Sequence, residues 1–159
     1  MTPLDRIDLN ILHQLQNDAS LSNAALSERI NLSSSQCHRR VKRLEEEGYI
    51  ARYVALLDRQ KLGLQVQAIL IIKASNLSPQ SKQAFKDAIS QYDMVTECWA
   101  IAGDKDIMVR IVAPSLDEYS RFLSEKIFSL EQVSSAETHL LLDSLKYTTE
   151  IPLPSPTLS

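Results

Sequence analysis

Residues 22–50 read SNAALSERINLSSSQCHRRVKRLEEEGYI, and their spacing predicts two short helices joined by a tight turn. Ser22 is placed to cap the first, whose apolar positions Ala25, Leu26 and Ile30 fall on one face. Asn31 and Leu32 make the turn. Ser33 opens the second helix with Gln36 three residues on, the spacing of a capping box. Cys37, Val41 and Leu44 recur at i, i+4 and i+7 and point inward, leaving Ser34, Ser35, Gln36, His38, Arg39, Lys42 and Arg43 outward. Gly48 stands where a left-handed helix end is wanted. A helix-turn-helix lays such a second helix in the major groove, with its first-turn side chains at base edges. The pattern predicts contact with double-stranded DNA through those seven outward residues.

Charge supports this by position, not by total. The chain carries a formal net charge of −3, whereas basicity of the whole domain is the usual footprint of a nucleic-acid binder. Acidic and basic residues balance across residues 1–60, but His38-Arg39-Arg40-Val41-Lys42-Arg43 forms a basic block followed by Glu45-Glu46-Glu47. Segregation of this kind along one helix suits phosphate contact at the basic end. A solvated charged face would explain the block alone; the preceding helix and turn tip the reading toward DNA.

Length and composition set the frame. With 159 residues, 44% of them hydrophobic, the chain can build one ordinary domain or two small ones with packed cores. It has no apolar run of membrane-spanning length and no signal-peptide pattern at MTPLDRIDLN, so a cytoplasmic location is expected. Cys37 and Cys98 both fall on expected apolar faces and are read as reduced core thiols.

Ahead of the quoted stretch, Leu4, Ile7, Ile11, Leu12 and Leu15 form one stripe, so Asp5–Asn17 completes a three-helix unit. After it, residues 49–57 (YIARYVALL) are rich in β-formers and read as a strand or wing. The polar run from Asp58 to Gly63 marks the expected boundary. The remainder reads βαββαβ, the split order of a ferredoxin-like domain. Its strands are 66–74, 95–102, 107–112 and about 133–142. One helix spans 78–91 with Pro79 at its first position, and another is opened by Ser115 with Glu118 at the box position. The expected class is therefore α+β. A winged helix-turn-helix occupies 1–60, a βαββαβ domain 61–150, and a Pro-rich tail without periodicity, read as disordered, 151–159.

Two helices cover one face of a four-stranded sheet, yet Ile69 and Ile71 are apolar opposite Ala68, Leu70 and Ile72, and Trp99 and Ile101 alternate with Cys98, Ala100 and Ala102. A second apolar face needs a second cover, and another copy of the sheet supplies one. The sequence predicts an obligate dimer.

Several of these segments, in this order, resemble the Lrp/AsnC family of transcription regulators: LDRIDLNIL at the start, CHRRVKRLEEEGYI after the turn, and ECWAIAGDKD in the second half. The resemblance implies a DNA-binding first domain and a ligand-sensing second one. It also implies dimers assembling further, commonly into octamers, with an amino acid or related metabolite as effector. It places the effector near Gly103, Asp104, Lys105 and Asp106, with Ser135 and Thr138 matching positions often polar on the last strand. Two segments depart from the family pattern. Ser33-Ser34-Ser35-Gln36-Cys37 stands where Ser-Pro-Thr-Pro-Cys is usual, which changes base preference. Lys105 replaces an aromatic residue of the sensing loop, which opens the site to an acidic ligand.

Simpler readings stand beside these. Ser35 and Gln36 are placed for base readout, and capping alone would also account for them. His38 suits a phosphate or plain solvent. Arg39 and Arg43, four apart, are read as bracketing one groove edge. Glycine and aspartate at 103–106 are also what a hairpin turn requires. No metal, cofactor or catalytic constellation is indicated, and His13 and His139 are assigned no role. An architectural DNA binder that ignores metabolites is the alternative to a metabolite-responsive regulator.

Overall fold

The computed structural model describes residues 3–76 and 78–154. The chain divides into two compact units, residues 3–56 with 146–154, and Leu57–Leu145. No helix among the described residues is long and apolar enough to cross a membrane.

The first unit contains α1 (Arg6–Asn17), α2 (Asn23–Arg29) and α3 (Ser34–Glu46). Asp5 caps α1 through a reciprocal box: its carboxylate accepts from the N–H groups of Ile7 and Asp8, and Asp8 accepts from the N–H of Asp5. Ser22 and Ser33 cap α2 and α3 through the N–H groups of Ala25 and Gln36. Asn31 takes a positive φ of 55° between them, a conformation asparagine tolerates better than most residues. Past α3, Gly48 at φ 77° donates to the Glu45 carbonyl and Tyr49 to that of Leu44, closing a Schellman end. The core gathers Ile11, Leu15, Leu26, Cys37, Val41 and Leu44.

The strand or wing expected over 49–57 is not formed. Residues 51–58 belong to no helix or strand, and Tyr53, Val54, Leu56 and Leu57 are exposed. β-propensity without a neighbouring strand cannot satisfy a ladder of N–H and C=O groups, and this segment has no partner strand among the described residues. The unit boundary also shifts from its expected place. The polar run 58–63 belongs to the second unit and is tied locally, with Arg59 Nη1 donating to the Leu64 carbonyl at 2.9 Å and Asp58 accepting from the Gln60 N–H at 3.0 Å. Residues from 146 onward, expected as the end of the second domain and a free tail, pack with the first unit instead. Residues 155–159 lie outside the described residues.

The second unit is the expected βαββαβ chain: β1 (Val66–Ala74), α4 (Pro79–Ile89), β2 (Val95–Ala100), β3 (Ile107–Ala113), α5 (Leu116–Phe122) and β4 (Val133–Leu140). The sheet order is β2-β3-β1-β4, with every neighbouring pair antiparallel. Ser78 and Ser115 cap the helices, Pro79 sits in the first turn of α4, and α5 runs on into a π-turn over Leu123–Ile127. Ala68, Leu70 and Ile72 of β1 and Val109, Ile111 and Ala113 of β3 are fully buried in the core with Phe85, Tyr119 and Phe122 from the helices.

Register places Ile69, Ile71, Met108, Val112 and Trp99 on the other face, and Trp99 is 57% exposed. That face is apolar at its centre and charged beside it. Arg110 Nε meets Glu97 Oε1 at 2.8 Å, and the Trp99 indole donates to Glu97 Oε2 at 3.0 Å. Both cysteines are free, but only Cys37 is a core thiol. Cys98 is exposed, on β2 at the edge of the sheet, which has no strand on its outer side among the described residues.

Candidate nucleic-acid interface and ligand loop

Helix α3 presents three sides. Cys37, Val41 and Leu44 are buried. Ser34, Ser35, Gln36, His38, Arg39 and Lys42 are all exposed, and the i, i+4, i+7 spacing of Ser35, Arg39 and Lys42 lines them up opposite the core. His38 Nδ1 lies 3.1 Å from the Asn23 amide nitrogen at the start of α2, which fixes the ring against the neighbouring helix.

The flank between core and outer face differs from the expectation. Arg43, read as outward, turns toward α1 and pairs with Asp8, which is completely buried. Arg40 joins the same cluster, with Nη1 at 2.7 Å from both Asp5 Oδ2 and Asp8 Oδ1. Burial opposes ionisation at Asp5, but the Asp8 N–H and the Arg40 guanidinium outweigh it and hold the carboxyl below its usual range. Arg39 and Arg43 therefore do not bracket a common edge. Helical spacing put them on one side, and an acidic residue on another helix drew one of them away.

In the second unit, the loop after β2 carries Gly103 at φ 142°, a backbone state that side chains with a Cβ rarely adopt. Asp104 is exposed. Asp106 is already engaged: its Oδ2 accepts from the Ala74 N–H at 2.9 Å and lies 3.2 Å from Lys73 Nζ. Its main chain also bonds Ile101 and Ile72. The Ala74 N–H first, then Lys73, holds this carboxyl below the usual range. Ser135 pairs with Lys73 on the face shared with Ile71, whereas Thr138, three residues on, points to the other face and shares a hydrogen with the Tyr119 hydroxyl at 2.9 Å. Of the expected ligand residues on β4, Ser135 and Thr138 thus lie on opposite faces of the sheet.

Residues 4–51 match the family described as winged helix-turn-helix DNA-binding, and residues 67–151 match the Lrp/AsnC ligand binding domain. The chain belongs to the Lrp/AsnC family. Within that family it is 35% identical to the transcriptional regulator AzlB of Bacillus subtilis, over 94% of this chain and 96% of that protein. It is 38% identical to the proline dehydrogenase transcriptional activator of Rhizobium radiobacter, over 91% and 93%. The solved complex of a Neisseria meningitidis transcriptional regulator with L-Met superposes with a TM-score of 0.90 at 31% identity, covering 94% of this chain and 96% of that one. This Lrp/AsnC protein is accordingly a DNA-binding transcription regulator with a separate ligand-binding unit.

Sequence reasoning missed the partners. Asp8, Arg40 and Asn23 hold side chains around α3, and Lys73 and Tyr119 contact the candidate ligand residues Asp106 and Thr138. Asp8 sits inside the α1 stripe as an acidic residue among Leu and Ile, a local break in the apolar pattern that could have marked it.

Proposed function

We propose that this regulator reads DNA with the first turn of α3 and changes its DNA affinity or assembly on binding an amino acid. Ser34, Ser35 and Gln36 address base edges, while His38, Arg39 and Lys42 meet phosphates. The observation that carries this is the outer face of α3, a continuous exposed polar and basic strip backed by a fully buried one. Arg43 is set apart by its pair with Asp8.

For the effector, exposed Asp104 is the anchor for an ammonium group, backbone N–H groups over 103–105 take the carboxylate, and Lys105 selects the side chain. The L-Met bound by the Neisseria relative supports an amino acid as the ligand class. The open sheet face supports a homodimer that assembles further, and the regulator acts in the cytoplasm, where its DNA is.

The test is DNA binding by fluorescence anisotropy on the full chain, with each common amino acid added in turn. Gln36→Ala should lower preference for a selected operator while leaving random-DNA affinity in place. Asp104→Ala should abolish the amino-acid response and leave effector-free DNA binding intact. A wild-type chain whose DNA affinity, assembly and thermal stability ignore every amino acid would make it an architectural binder instead.

A further inference from the structure

We infer that Asp8 is a positioning residue for DNA contact: it draws Arg40 and Arg43 onto α1, so that of the four arginine and lysine cations in the basic block only Arg39 and Lys42 meet phosphate. The inference rests on reading α3 as the recognition helix.

The geometry is specific. Asp8 is 0% exposed, and its two oxygens are divided between Arg40 Nη1 at 2.7 Å on one side and Arg43 Nη2 and the Asp5 N–H on the other. Asp5 adds a second carboxylate at 2.7 Å from Arg40. Two carboxylates and two guanidinium groups cancel within one cluster. The Arg43 guanidinium lies against the Asp8 carboxylate, and its Nε is buried with no hydrogen-bond acceptor among the described residues, so the pair with Asp8 holds this side chain in place. Arg39, by contrast, is exposed and makes no ion pair among the described residues. Lys42 reaches only Glu46, at 3.6 Å with both side chains well exposed, a pair too weakly held to compete with a phosphate.

The consequence is a division of labour within Arg39-Arg40-Val41-Lys42-Arg43. Each cation that meets a phosphate adds affinity regardless of sequence and steepens the salt dependence. Diverting two of the four inward limits that uniform term, which leaves discrimination to the base-edge contacts of the first turn. The same diversion fastens α3 to the N-terminus of α1, so the helix that carries the reading residues is set against the core by the groups that are kept off the DNA.

Salt slopes of binding to a random-sequence duplex, measured on the full chain, decide it. Arg39→Gln and Lys42→Gln should each flatten the slope by about 0.9 for every DNA-bound copy. Arg40→Gln and Arg43→Gln should leave it unchanged. Asp8→Asn keeps the shape but removes the charge, and should steepen the slope by up to roughly two units and tighten random-DNA binding severalfold as both arginines swing outward. Loss of packing alone would not steepen a salt slope. If Asp8→Asn fails to fold by far-UV dichroism, the glutamine series decides by itself. A flattened slope for Arg40→Gln or Arg43→Gln, or an unchanged slope for folded Asp8→Asn, overturns the inference and leaves the recognition-helix reading standing. Unchanged slopes for Arg39→Gln and Lys42→Gln would overturn both.

Discussion

Gln16 holds Ile151 by both of its main-chain polar groups. Its Nε2 donates to the Ile151 carbonyl at 3.3 Å and its Oε1 accepts from the Ile151 N–H at 3.2 Å, across 135 positions of sequence. An amide side chain here does what a neighbouring strand does elsewhere, offering one donor and one acceptor in the right order. The contact explains why the chain beyond the second unit packs with the first, although nothing in IPLPSPTLS has a helical or strand period.

Removing that amide should release the segment without unfolding the unit. In Gln16→Ala the Ile151 amide should exchange with solvent much faster, while global stability changes by about 1 kcal/mol or less, the scale of exposed hydrogen bonds. Gln16→Glu keeps the acceptor and loses the donor, and should fall between the two. Equal Ile151 exchange in wild type and Gln16→Ala would mean that the latch does not hold in solution.

Tyr53 supplies an alkaline signature. Partial desolvation of the half-exposed ring first, and then its hydrogen bond to Glu45 Oε1 at 2.8 Å, push the phenol up to about 12. The folded state keeps this proton longer than the unfolded one, so the stabilisation is complete below about pH 10 and is lost as pH rises through about 12. Burial also raises the Tyr119 phenol, so tyrosinate absorbance should show late titration from both, with the Tyr53 share disappearing in Tyr53→Phe and moving toward the ordinary value in Glu45→Gln.

How far the sequence carries depends on whether a feature is local. Caps, turn and helix faces in the first unit were legible because each is set within a few residues: Ser22, Asn31, Ser33 and Gly48 all do what their positions imply. The βαββαβ order was legible for the same reason. What was not legible depends on partners distant in sequence. Arg43 turns inward because of Asp8, Asp106 is consumed by Ala74 and Lys73, and Thr138 by Tyr119. The segment 49–57 has the composition of a strand and no strand to pair with among the described residues, and pairing is the part that composition does not encode.

Asp106 should show itself at the acid end. Its carboxyl is held below the usual range by the Ala74 N–H and Lys73, so its stabilisation is present above the unfolded value of about 4 and is lost as pH falls through the lower folded value. Asp106→Asn should therefore flatten the acid limb of the stability curve. Lys73→Gln should do less, because the backbone bond is the larger cause. An acid limb identical in all three proteins would show that the loop is not tied to β1 in this way.

The open face of the sheet offers its own reporter. Trp99 is the only tryptophan in the chain and is 57% exposed on that face, in register with Met108, which in turn pairs with Ile71. A second copy laid across this face would bury the indole and shift its emission to shorter wavelength, reversibly on dilution. Ile71→Asp should prevent this. Within one chain the new carboxylate can still reach water, so the monomer should stay folded, but in a dimer it would be buried without a partner and opposite Glu137. Such a charge costs about 3 kcal/mol or more, roughly a hundredfold or greater rise in the dimer dissociation constant. Sedimentation velocity should accordingly find Ile71→Asp smaller than wild type, with tryptophan emission at the wavelength of exposed indole. Wild-type protein that already emits there at every concentration, and sediments like the variant, would leave this face without a second copy to cover it.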